Sequence, residues 1–145
     1  MDLTQTDGRW ECRVVAPGWP ELTAVAVRFD TPAQAKPTAA QLNEAERLGE
    51  RAVDVRGQVE RGLAANARLY WVEQMNADDE SADAVAEGSV YWGRLQGVVV
   101  WQPEGGVTRV GFDFESVLDE NEHGVGVLWA AGRVLTVGSA EQSVP

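Results

Sequence analysis

Apolar and polar residues alternate over residues 9–15. Trp10, Cys12 and Val14 fall on one face and Arg9, Glu11 and Arg13 on the other, a period of two that predicts a β-strand. Gly18-Trp19-Pro20 predicts a turn. Residues 22–29, with Val25, Val27 and Phe29 on one side, predict a second strand, and the short connection predicts antiparallel pairing with the first. After the two prolines of residues 30–37 the period changes. Thr38, with Gln41 three residues on, has the form of a capping box at a helix start. Ala45, Leu48, Ala52, Val55, Val59, Leu63, Ala67 and Tyr70 then step by three or four, one apolar stripe of an amphipathic helix. The stripe runs to about Met75. Gly49 and Val53-Asp54-Val55 are weak helix formers and predict a bend or a break between two helices.

Residues 76–88 hold Asp78, Asp79, Glu80, Asp83 and Glu87 and predict a solvated acidic loop. The remainder reads as strand and turn. Residues 90–102 are rich in Val, Tyr and Trp, and Pro103-Glu104-Gly105-Gly106 is a turn signal. Residues 107–115 and 124–130 alternate, Ala131-Gly132 reverses the chain, and residues 133–137 return, an antiparallel meander. An apolar helical stripe needs an apolar surface to cover. The expected fold is therefore α+β: a two-layer sandwich of a mostly antiparallel sheet with one long broken helix, or two helices, on one face. Residues 1–145 are expected to form one domain, with loose ends over residues 1–7 and 140–145.

Composition sharpens this picture. Twelve basic against 23 acidic residues give a net charge of −11. Such a field repels nucleic acid and anionic membrane surfaces and attracts a cationic protein. Cys12 is the one cysteine, so no intramolecular disulfide can form, which suits a reducing, cytoplasmic setting. The first residues have no basic region and no apolar core of a signal peptide.

Candidate chemistry is sparse. The densest polar cluster is Asp119, Glu120, Glu122 and His123, after Asp113 and Glu115 on the preceding strand. Carboxylates beside a lone histidine suit a hard cation or a proton-transfer pair, giving an alternative reading as a metal-binding or metal-dependent hydrolytic domain. The competing reading has Asp113 and Glu115 facing water and His123 pinning the turn before Gly124 by a hydrogen bond. Cys12, on an apolar face, reads as packing rather than as a nucleophile. No glycine-rich loop opens a helix and no serine elbow accompanies the histidine, so no cofactor and no catalytic set is expected. Six tryptophans are many for this length. Trp19, Trp92 and Trp101 are candidates for exposure, and with Asp78, Asp79, Glu80 and Asp83 they form the expected partner-binding set.

Gly111-Phe112-Asp113-Phe114, Leu118-Asp119, Glu122-His123-Gly124-Val125-Gly126-Val127, Gly132-Arg133-Val134-Leu135 and Val137-Gly138 together resemble a group of small bacterial proteins without an established activity. Their ends read G-F-x-F-x-C-x-W-D-x-E-H-G-L-G-V and then G-R-V-V-x-V-G. Residues 63–71 are also similar, so the likeness spans half the chain. Ser116 stands at the motif's cysteine and Leu118 at its tryptophan, and one extra residue near Asn121 lengthens the acidic loop. Some relatives in that group resemble immunity proteins that bind and block bacterial toxins. The resemblance therefore implies a non-enzymatic, acidic, immunity-type or inhibitor module whose partner is a cationic protein.

Overall fold

A computed structural model describes the backbone of residues 2–74, 92–116 and 124–145. Seven strands form one sheet in chain order: β1 (Thr4–Thr6), β2 (Arg9–Cys12), β3 (Val27–Phe29), β4 (Trp92–Val100), β5 (Val110–Ser116), β6 (Val125–Ala130) and β7 (Arg133–Ser139). Every neighbouring pair is antiparallel except β3 and β4, which run parallel with Val27 opposite Val98. The expected α+β fold with a mostly antiparallel sheet is what the chain adopts. The parallel pair follows from a long crossover through α2 (Ala39–Glu50) and α3 (Ala52–Gln74), because parallel neighbours cannot be joined by a tight turn.

Thr38 caps α2 as its sequence requires. Its hydroxyl accepts from the Gln41 N–H at 3.1 Å, while the Gln41 side chain accepts from the Thr38 N–H at 2.9 Å. The helix yields at Arg51, where φ is −111° and ψ 26°, and α3 starts at the next residue. Ala45, Leu48, Ala52, Val55, Val59, Leu63 and Ala67 are all buried, so the apolar stripe continues through the break onto one face of the sheet. Facing it are Val98 and Val100 from β4, Val110, Phe112 and Phe114 from β5, and Val125, Val127 and Trp129 from β6.

Two readings of the chain are corrected. Residues 22–29 are not one strand: Pro20–Ala24 form a short helix, α1, with Pro20 in its first turn, and only Val27–Phe29 pair. Within the ends expected to be loose, Thr4–Thr6 form a strand and Ala140–Ser143 a 3-10 turn. Asp7 and Gly8, at φ 51° and 79°, turn β1 back onto β2. Ala140–Ser143 form a 3-10 turn lying on the sheet face opposite the helices.

Candidate functional site

Trp19, expected to be exposed, is 2% exposed and stacks on Phe112 with ring centroids 5.6 Å apart. Its neighbours Gly18 and Pro20 gave it the look of a surface turn, but α1 begins there and folds the indole under the sheet. Trp92 is likewise buried, as the first inward residue of β4. Trp101 is half-buried, and its Nε1–H donates to the Ser143 carbonyl at 2.9 Å. The three tryptophans therefore do not form a shared surface. Asp78, Asp79, Glu80 and Asp83, and the alternative metal set Asp119, Glu120, Glu122 and His123, lie outside the described residues.

Asp113 does not face open water. The Ser143 hydroxyl donates to its Oδ1 at 2.7 Å, and the 3-10 turn half-buries it. Burial pushes the Asp113 carboxyl above its ordinary range, partly offset by that hydrogen bond. The turn sits close because Gly111 has no side chain: a Cβ there would lie 2.2 Å from the Ser143 carbonyl oxygen. Glu115, two residues on, is held below its ordinary range by the backbone N–H and then the guanidinium of Arg94, with Gln96 also donating. These groups tie strand to strand and strand to turn. Cys12 is 2% exposed, and burial raises its thiol to about 11, so at neutral pH it is a protonated, inert packing group.

The surface feature that sequence reading missed lies beside the helix break. Residues 13–17 run past the α2–α3 junction and border an open groove of about 1380 Å³. Val15 and Val53, 80% and 67% exposed, are among its lining residues. Arg13, Arg51 and Arg61 line it together with Glu46, Glu50 and Asp54. Arg51 and Arg61, like Glu46 and Glu50, make no ion pair among the described residues. A small-molecule site has a few polar groups converging inside an enclosed apolar pocket. Here small apolar side chains stand on an open surface among charges of both signs, with Arg13 donating to the Ala24 carbonyl and Asp54 accepting from Gln58, a mix closer to the polar rim of a protein contact than to an enclosed pocket. Residue parity held the signal: Val15 continues the outward series of Arg9, Glu11 and Arg13, and Val53 lies off the buried helical stripe.

No family model, no curated protein and no solved structure matches the chain. Among the described residues, no helix is long and apolar enough to cross a membrane.

Proposed function

We propose that the protein is a non-enzymatic binding module that engages a cationic protein in the cytoplasm, in the manner of an immunity or inhibitor protein. The observation that carries this reading is the charge of −11 on 145 residues, with a sequence pI of 4.4. A field of that size speeds encounter with a cationic partner and discourages polyanions. The acidic side chains are available for this: Asp2, Asp7, Glu50 and Glu141 are exposed and make no ion pair among the described residues. Asp78, Asp79, Glu80 and Asp83 add four carboxylates within six residues of sequence. The C-terminal motif likeness to a group with immunity-type relatives points the same way, as an analogy.

The acidic run gives a direct test. Replacing Asp78, Asp79, Glu80 and Asp83 with Asn and Gln is expected to weaken capture of the partner from native-host lysate and to flatten its salt dependence. Unchanged capture and unchanged salt dependence would remove this segment from the contact. A toxin gene immediately upstream would favour immunity over other inhibitor roles.

A further inference from the structure

We propose that the groove beside the α2–α3 junction is a homotypic interface, and that its occupant is a second copy of this chain. Charge supplies the first argument. Two molecules of net charge −11 repel one another over most of their surfaces. The groove is different: three arginines balance three carboxylates along its walls, so copies meeting there avoid the like-charge cost. A strongly cationic protein would meet those same arginines, so the groove is a poor seat for the partner proposed above. The homotypic contact does not depend on that proposal.

The order of the charges supplies the second argument. Along the helices the lining charges run Glu46, Glu50 and Arg51 before Val53, then Asp54 and Arg61 after it, so the outermost charge is acidic on the α2 side and basic on the α3 side. A two-fold axis near Val53 lays the acidic end of each copy against the basic end of the other. That is the reciprocity an isologous dimer requires. At the centre, Val15 and Val53 lose water against their counterparts.

Light scattering on the full chain, over a concentration series into the millimolar range, tests the proposal. The expected mass rises from 15.7 kDa towards twice that value. Val53→Glu, and separately Arg61→Glu or Glu46→Arg, should each weaken association by about tenfold or more, since each sets like charges or a desolvated charge across the contact. These positions lie on the surface, and Val15→Asp gives a second apolar probe should Val53→Glu disturb its packing on Gly18. Mixing Arg61→Glu with Glu46→Arg should restore a heterodimer, because both exchanged contacts between positions 46 and 61 are then opposite in sign. A wild-type mass that stays monomeric throughout would overturn the proposal. So would a dimer that survives both Val53→Glu and Arg61→Glu, or a mixture that stays monomeric.

Discussion

Gln41 contributes more to this fold than its residue type suggests. It is fully buried, and its Nε2 donates to the carbonyls of Asp30 at 2.8 Å and Val100 at 3.1 Å while its Oε1 closes the capping box. One side chain thus joins a helix start, the end of β3 and the end of β4. Gln41→Leu leaves buried polar groups without partners and should cost about 2–4 kcal/mol in denaturant melts, against about 1 kcal/mol for Thr38→Ala at the same cap. The capping role was legible from Thr38 and Gln41 alone; the bonds to Asp30 and Val100 were not, because they depend on the parallel pairing of β3 with β4. Asp113 makes a prediction with a sign. A carboxyl whose folded-state value is raised stabilises the fold in full below the unfolded value and loses that contribution as pH climbs through the folded one. Asp113→Asn keeps an oxygen acceptor for Ser143 and removes the half-buried charge. It should therefore melt above wild type near neutral pH, and the gain should vanish well below the ordinary carboxylate range. A gain independent of pH would assign the effect to something other than that charge.

At the scale of elements, the chain was most readable where one period held for a long stretch. Seven stripe residues from Ala45 to Ala67 are buried as the helical spacing requires, and Arg51 breaks the helix between the two weak stretches. Short elements were less readable. Val25, Val27 and Phe29 alternate as in a strand, yet Pro20 fits the first turn of a helix, and five residues are too few for a helical period to show. The β1–β2 hairpin has its own short signal, Asp7-Gly8, both residues at positive φ, with only the three-residue β1 before it to carry an alternation. The C-terminal turn had none, since its seat exists only once β5, β6 and β7 stand side by side. Gly111→Ala should push that turn off. A Cβ 2.2 Å from the Ser143 oxygen and 3.0 Å from the Trp101 Nε1 cannot be accommodated by side-chain motion alone. The expected loss is about 1–3 kcal/mol, as for overpacking, with faster hydrogen exchange at the Trp101 indole. Unchanged indole exchange would mean that the turn does not depend on this glycine.

For the whole molecule, the sheet with helices on one face explains why so many tryptophans and so acidic a sequence coexist. Trp19, Trp92 and Trp129 go to the interior, and the exposed charge is left to govern association. The aromatic part of the expected contact set dissolved on folding, because aromatic side chains beside turn residues bury whenever a short helix carries them inward. The groove is a separate surface, and no single stretch of sequence contains it: residues 13–17 and 46–61 come together where Gly49 lets the Val15 backbone lie close against α2. The acidic field itself needs no structure to be read. Its consequence is measured most directly by quantitative affinity capture from native-host lysate, washed in steps of rising salt. The account predicts one strongly basic protein, enriched in stoichiometric amount and released as salt screens the attraction. Recovery of no stable partner, or of an acidic partner retained through high salt, would contradict it.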